Sequence, residues 1–416
     1  MRLIPAGIGF AVFGGVSRHA VFLQSGEHAM YAQSQPDPTE TLAHLPTPAL
    51  LLDRDRLRAN AQRLAGHIAS LRCVLRPHVK THKCLEVARE VEAAGHTRGI
   101  TVSTLREAEY FFDRGFDDIF YAVGISPNKF ARARALIDRG CRLSVTLDSC
   151  EMAALLAAFA AAEGVSFPTV IELDTDGHRA GVDPDSDTLL ELGRLLHEGG
   201  GVELAGVMTH AGESYNCDTP QALLASARQE RDRTVAAAAR LRAAGLPCPV
   251  VSIGSTPTAF AIDDLAGVTE VRAGVYSMFD LVMANIGVCT LDDIALSVLV
   301  TVTGYQRDRN WLITDGGWMA LSRDRGTASQ RVDYGYGAVL DTRGRRLPLL
   351  VSSASQEHGI ISPANDGESV DVSAYPLGSQ LRVLPNHACA TAGQYEHFTV
   401  MEKGVVTDTW RKASGW

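Results

Sequence analysis

A lysine at the mouth of a short apolar strand is the residue of this chain most suited to covalent chemistry. The stretch Leu75-Arg76-Pro77-His78-Val79-Lys80-Thr81-His82-Lys83 follows the apolar positions Leu71 and Val74 and sets Lys80 between two imidazoles, with a cation at either end. A free lysine, with a pKa of about 10.4, is neutral in only roughly one molecule in 2,500 at pH 7, so a nucleophilic amine needs desolvation or nearby positive charge. Arg76, Lys83 and either histidine are the groups that would supply it. A basic strand end facing solvent has the same composition, so the motif alone leaves both readings open.

Leu384-Pro385-Asn386-His387-Ala388-Cys389-Ala390-Thr391 is the second such stretch. On a strand, residues two apart point the same way, and His387 and Cys389 would then converge on one ion. Imidazole and thiolate suit zinc, with other divalent ions possible, and a two-ligand site leaves positions open to water or substrate. By itself a His-x-Cys pair is weak evidence for metal. A third stretch, Gly254-Ser255-Thr256-Pro257-Thr258, follows an apolar strand; its backbone N–H groups and hydroxyls can cradle a phosphate, or form a plain loop. Arg179 in Asp174-Thr175-Asp176-Gly177-His178-Arg179-Ala180-Gly181, His210 in Thr209-His210-Ala211-Gly212, and Tyr215 read singly as a solvated cation, a core histidine and a loop tyrosine.

The elements that must carry these residues alternate. From Pro46, short apolar runs are followed by helical patterns, as in βα units around a parallel sheet. Strands are predicted at 49–53, up to Lys80, 99–102, 118–123, 143–147, 170–173, 204–209, 250–253 and 270–273, with helices such as 57–69, 104–114 and 127–138 between them. That number favours a closed (β/α)8 barrel, in which catalytic groups sit at the C-terminal ends of strands, where the stretches around Lys80, Arg179, His210 and Ser255 all fall. No early Gly-x-Gly-x-x-Gly marks an open dinucleotide-binding sheet. After about Asn285, runs broken by Gly and Pro (294–304, 311–314, 339–340, 347–353, 380–384, 398–400) predict a β-rich domain. The expected division is an N-terminal extension over 1–44, a barrel over 45–285 and a β-rich domain over 286–416. An apolar run from Leu3 to Val16 makes a poor secretory signal and is too short to span a membrane, and Met30 is a plausible alternative start.

The 416 residues are 46% hydrophobic and 21% charged, a composition of globular proteins. A net charge of -9 and a pI near 5.8 disfavour nucleic acid and anionic membrane and favour a small-molecule substrate. The eight cysteines are scattered without a Cys-x-x-Cys pair, as expected of thiols in the reducing cytoplasm.

Arg76-Pro77-His78-x-Lys80-Thr81-His82-Lys83 resembles the pyridoxal phosphate lysine motif of the D-serine dehydratase and D-threonine aldolase group. These are fold-type III enzymes similar in architecture to alanine racemase, and the resemblance runs from about Pro46 to the C-terminus. It implies a TIM-like barrel of the alanine racemase type followed by a β-rich domain, with pyridoxal 5'-phosphate on Lys80. It further implies that Gly254, Ser255 and Thr256 bind the cofactor phosphate, that Gly274 and Tyr276 in the Gly274-Val275-Tyr276 turn complete that pocket, and that Tyr215 adds a phosphate-side contact. Arg179 would lie near the ring hydroxyl and His210 on the pyridine face, while Arg272 resembles the arginine that meets the ring nitrogen in alanine racemase. Pro385-Asn386-His387-x-Cys389 resembles the zinc pair of the dehydratase branch, where the aldolase branch carries aspartate in place of the cysteine. Glu357 and His358 would serve the ion or substrate.

The activity implied is elimination from a 3-hydroxy-D-amino acid, D-threo-3-hydroxyaspartate or D-serine, giving a 2-oxo acid and ammonia. Hydroxide is a poor leaving group. Zinc lowers the pKa of bound water from 15.7 to about 7, which bounds its help to the departing oxygen at about 12 kcal/mol. Arg323 or another cation would receive a second substrate carboxylate. The alternatives are a metal-dependent D-threonine or 3-hydroxy-D-aspartate aldolase, a non-catalytic cofactor carrier of the single-barrel type, against which the β domain and the His-x-Cys pair count, and a racemase, which needs a second base on the opposite face. A head-to-tail homodimer, each β domain completing its neighbour's barrel mouth, is also implied by the resemblance.

Overall fold

The computed structural model describes residues 42–365 and 367–416; of the expected N-terminal extension, residues 1–41 lie outside them. Strand β1 (Ala49–Asp53) leads into the helix Arg54–Ser70, whose first turn is capped by the Asp53 side chain accepting from Arg56 N at 3.0 Å. That helix buries Leu57, Ala61, Leu64, Ala65 and Ile68, the i, i+4, i+7, i+8, i+11 stripe of a helix packed on one face. The barrel strands follow: β2 (Val74–Pro77), β3 (Ile100–Val102), β4 (Asp118–Gly124), β5 (Arg142–Leu147), β6 (Phe167–Leu173), β7 (Val202–Thr209), β8 (Val250–Ile253) and β9 (Glu270–Ala273).

These eight strands are parallel, in the order β2-β9-β8-β7-β6-β5-β4-β3, and bridges Leu75–Thr97 and His78–Thr101 close the ring. The helices between them have sequence-legible ends. Thr104 caps 105–112 through Glu107 N at 3.0 Å, Ser149 caps 150–163, and Gly164, at φ 65°, stops it. The outer faces of the strands and the helices share a large apolar core that includes Phe111, Val145, Leu156, Phe167 and Leu241.

The interior of the barrel is partly polar. Arg76 pairs with Asp118 at 2.7 Å and Glu270 at 2.8 Å, the Ser252 hydroxyl donates to Glu270 at 2.7 Å, and the Arg272 guanidinium donates to Ser252 Oγ at 2.5 Å. Buried charge is tolerated when each group is paired, and this chain of contacts fixes Arg272 near the barrel mouth.

The second sheet holds β10 (Leu296–Gln306), β11 (Trp311–Thr314), β12 (Ala338–Leu340), β13 (Arg346–Ala354), β14 (Gly359–Pro363), β15 (Gln380–Leu384), β16 (His397–Glu402) and β17 (Val405–Arg411). Its order is β11-β14-β13-β12-β15-β10-β1-β16-β17. Here the expected chain order is corrected. Strand β1, read as the first barrel unit, pairs antiparallel with β10 and parallel with β16, so the β-rich sheet is threaded by the N-terminal strand. Leu50 and Leu52 pack with Leu296, Val298 and Val400 on one face, and Leu51 with Leu299 and Met401 on the other.

Candidate active site

Strand β2 ends at Pro77, His78 forms the bridge to Thr101, and Val79, fully buried, anchors the turn that presents Lys80. Lys80 opens into a cavity of about 500 Å³ lined from the barrel by His78, Arg179, His210, Tyr215, Gly254–Thr256 and Arg272–Val275, and from the β-rich sheet by Asp324, Gln330, His387 and Cys389. The cations expected beside Lys80 are engaged elsewhere, and the arginines that share its cavity are Arg179 and Arg272. Arg76 is consumed by its two carboxylates inside the barrel, Lys83 pairs with Glu107 at 3.3 Å, and His82 turns away, its Nδ1 accepting from Cys84 N at 3.1 Å. His78 does face the cavity. Burial, then Lys80 and Arg272, hold its imidazole well below the ordinary value, so it is neutral.

His210 lies at the end of β7. Burial first, then Lys80, lower its pKa to about 3, so the ring is neutral at pH 7. Its Nδ1 is 3.1 Å from the Gly254 carbonyl oxygen and therefore carries the proton, leaving Nε2 as an acceptor. The Tyr215 ring sits 6.3 Å from it, tilted by 52°.

After β8, Ser255 caps the short helix Thr256–Ala261: its hydroxyl accepts from Thr258 N at 3.3 Å, and the Thr258 hydroxyl accepts from Ser255 N at 3.1 Å. Thr256 Oγ1 is buried with no hydrogen-bond partner among the described residues. Gly254 has φ +138°, and a Cβ there would stand 2.0 Å from the Arg272 carbonyl oxygen, so glycine alone lets the β8 loop approach β9. Gly274 and Val275 line the cavity. Tyr276 does not: in the tight turn Val275–Ser277 its ring enters the apolar core, 1% exposed. Arg179 is exposed, 4.0 Å from Glu172.

His387 and Cys389 both line the cavity, though not as alternate residues of a strand. β15 stops at Leu384; His387 is an extended cap residue and Cys389 lies in the first turn of the helix Ala388–Ala392, so a helical turn brings the two together. Asp280 braces the turn by accepting from Ala388 N at 2.9 Å and Met283 N at 3.0 Å. Asp324 Oδ2 is 2.6 Å from His387 Nδ1, and the Thr81 hydroxyl is 3.1 Å from Cys389 Sγ. Burial opposes charge on both groups. Asp324 and the sulfur nevertheless raise His387 to about 11, while His387, Lys80 and Thr81 hold Cys389 below the ordinary thiol value. Among the described residues no set of three His, Cys, Asp or Glu side chains is arranged to hold a metal ion.

The sequence did not mark Asp324 or Asp280, and named His78 only as a neighbour of Lys80 and Asn386 only as part of the motif around His387. Asp324 comes from a loop with no periodic pattern, 63 residues from its partner. Asn386 is buried; it accepts from Thr327 Oγ1 at 3.1 Å and donates to Gly335 O at 2.7 Å, which fixes the Asp324 loop. Arg323 stacks on Trp318 outside the cavity lining, and Glu357 and His358 are exposed in the loop joining β13 and β14.

A closed parallel barrel with a strand-end lysine, a glycine-relieved loop and an unpartnered threonine hydroxyl beside it, under a β-rich sheet, defines an enzyme of the alanine racemase architecture. Residues 52–281 match the alanine racemase N-terminal domain and 295–401 the putative serine dehydratase domain. The chain belongs to the fold-type III pyridoxal phosphate family, in the group that joins these two domains. It is 52% identical over 380 residues to D-threo-3-hydroxyaspartate dehydratase of Delftia sp. (strain HT23), covering 91% of this chain and all of that one. It is 32% identical to D-serine dehydratase of Dictyostelium discoideum, over 87% and 95% of the two chains, and 27% identical to D-threonine aldolase of an Arthrobacter species, over 90% and 93%. The solved structure of the Delftia enzyme superposes with a TM-score of 0.88 at 53% identity, covering 90% of this chain and all of that one. Alanine racemase of Clostridium difficile, at 14% identity, shares the fold with a TM-score of 0.61, over 88% and 98%.

Family membership implies pyridoxal phosphate, and the residues present fit it. An amine, a neutral imidazole with a free acceptor, a buried hydroxyl without a partner and a backbone kept bare by Gly254 and Gly274 meet in one cavity. Among the described residues no helix is long and apolar enough to cross a membrane.

Proposed function

We propose that this enzyme eliminates water from 3-hydroxy-D-amino acids, D-threo-3-hydroxyaspartate and D-serine, the net products being a 2-oxo acid and ammonia. The observation that carries the reading is the shared cavity: Lys80, His387 and Cys389 all line one space, and Thr81, next to Lys80, contacts the Cys389 sulfur. That arrangement supports a reading in which a base for the α-proton and a grip on the β-oxygen would serve one substrate.

Lys80 would hold pyridoxal phosphate covalently; Gly254, Ser255, Thr256, Gly274 and Tyr215 would bind its phosphate, Arg179 would serve its ring hydroxyl and neutral His210 its ring. When bound, the cofactor supplies an electron sink for the substrate's α-carbon. Lys80 would also serve as the base for the substrate's α-proton. His78, neutral and adjacent, adds no positive charge that would oppose protonation of that amine. Arg272, pinned by Ser252 and the Thr209 carbonyl, keeps its charge at the barrel end of the cavity. His387 and Cys389 would hold a divalent ion, zinc being the best match to imidazole and thiolate, and the ion would supply polarisation of the departing hydroxyl. Asp324 occupies His387 Nδ1 and so directs Nε2 to the ion. A cysteine-to-alanine mutant of a D-threo-3-hydroxyaspartate dehydratase, solved in a metal-free form, is in keeping with a thiol-held ion.

The retro-aldol reading draws support from the aldolase relatives and from the same cavity. Incubation with D-threo-3-hydroxyaspartate, D-serine and D-threonine, with and without a chelator, separates them. Ammonia with a 2-oxo acid, lost on chelation, supports elimination, whereas glycine with glyoxylate or acetaldehyde would replace it with cleavage. We place the enzyme in the cytoplasm as a homodimer, consistent with its eight unpaired cysteines and testable by light scattering of the purified protein.

A further inference from the structure

The helix Pro220–Ala243 packs on the barrel through Leu223, Ala227, Glu230, Thr234, Ala237, Ala238 and Leu241. Glu230 is the one acidic residue in that apolar stripe and is 1% exposed. Burying a carboxyl among apolar neighbours is costly unless its oxygens are used. One oxygen is used twice. Glu230 Oε1 accepts from Ala211 N at 3.1 Å and from Gly254 N at 2.9 Å, whereas Oε2 is buried with no hydrogen-bond partner among the described residues. Ala211 directly follows His210, and Gly254 directly precedes Ser255 and Thr256. The two loops are tied a second time by His210 Nδ1 donating to the Gly254 carbonyl at 3.1 Å.

We propose that Glu230 is a positioning residue that sets the His210 loop and the Gly254-Ser255-Thr256 loop in register, so that the imidazole and the phosphate-binding hydroxyls meet one cofactor molecule. The inference rests on the cofactor reading above and adds a residue that touches neither cofactor nor substrate. Without the shared acceptor, two adjacent backbone N–H groups at the ends of β7 and β8 lose their buried partner, and the His210–Gly254 bond is left to hold the register of the loops without it. Burial also raises the Glu230 pKa, in keeping with a group used for one acceptor oxygen and not for its charge. Glutamine keeps that oxygen in place and puts an amide nitrogen where Oε2 was.

The test is a titration of the cofactor-stripped full-length protein with pyridoxal phosphate and, separately, with pyridoxal, read by visible absorbance and tryptophan quenching. In Glu230→Ala the affinity for pyridoxal phosphate falls about tenfold or more while that for pyridoxal falls less, because the phosphate loop is what shifts. Glu230→Gln stays within about threefold of wild type for both. Should the alanine variant fail to fold, Glu230→Asp, which withdraws the same carboxylate by one methylene, takes its place and shows the same loss beside an intact glutamine variant. Wild-type affinity in the alanine or aspartate variant overturns the proposal, as does a glutamine variant as impaired as alanine. No binding by wild type would sink the cofactor reading itself, a result distinct from either.

Discussion

The hydroxyl of Thr81 lies 3.1 Å from the sulfur of Cys389, 308 residues apart in the chain. Thr81 directly follows Lys80, so the turn that presents the amine from the barrel is hydrogen-bonded to the thiol presented by the β-rich sheet. This contact joins the two halves of the proposed chemistry directly, beside the backbone bonds from Leu281 N and Val282 N to the Pro385 and Asn386 carbonyls. Replacing Thr81 with valine keeps its shape and removes the hydroxyl. Zinc affinity, measured by competition with a chromogenic chelator, is expected to fall about tenfold, with the visible absorbance of the bound cofactor unchanged. Unchanged zinc affinity would show the contact to be incidental.

Asp324 orients His387 through a contact of 2.6 Å. Asp324→Ala is expected to lower ion affinity by about 10–100-fold and ammonia production with it, while Asp324→Asn, which still offers an acceptor oxygen, loses less. Equal losses in the two variants would assign the effect to charge and not to orientation.

Cys389→Asp exchanges a soft ligand for a hard one at the ion next to the β-oxygen. The expected outcome with D-threo-3-hydroxyaspartate is a larger share of glycine and glyoxylate relative to ammonia. An unchanged product ratio would remove ligand identity as the reason for elimination.

Arg76 supports the barrel end of the site from below. Arg76→Met leaves the buried Glu270 carboxylate without its ion-pair partner, while the half-buried Asp118 keeps Arg98 and Arg142 nearby; thermal or denaturant unfolding is expected to show a loss of about 3 kcal/mol. Acid stability gives an independent readout. Burial pushes the Asp118 carboxyl up, but Arg76 outweighs it and holds the folded-state pKa below the ordinary value. The contribution is therefore fully present above the unfolded value of about 4 and is lost as pH falls through the folded value. Wild type should lose stability below about pH 4 more steeply than Arg76→Met.

Most of the barrel was legible because its strands are short apolar runs with turn residues at both ends, and the helices between them carry Thr104, Ser149 and Gly164 where caps belong. The partner of a strand is not written in such a run. Leu50, Leu51 and Leu52 suit a barrel stave as well as a place between β10 and β16, and only the tertiary fold decides. In the same way, sequence put His387 and Cys389 together but assumed a strand; Asp280 holding Ala388 N turns that segment into helix. Lys80 was found through its neighbours Arg76 and Lys83, yet both cations prove to be spent on carboxylates far off in sequence. Glu230 and Asp324 escaped notice because a lone acid on a helix or in a loop has no local pattern that separates a brace from a solvated charge.

The central claim is that the Lys80 amine holds the cofactor, and reductive trapping tests it most directly. Borohydride treatment of the pyridoxal phosphate-loaded protein, followed by peptide mass mapping, should place one phosphopyridoxyl group on the peptide that contains Lys80 and none in Lys80→Ala. A label on a different lysine, or one that persists at wild-type level in Lys80→Ala, would contradict the account.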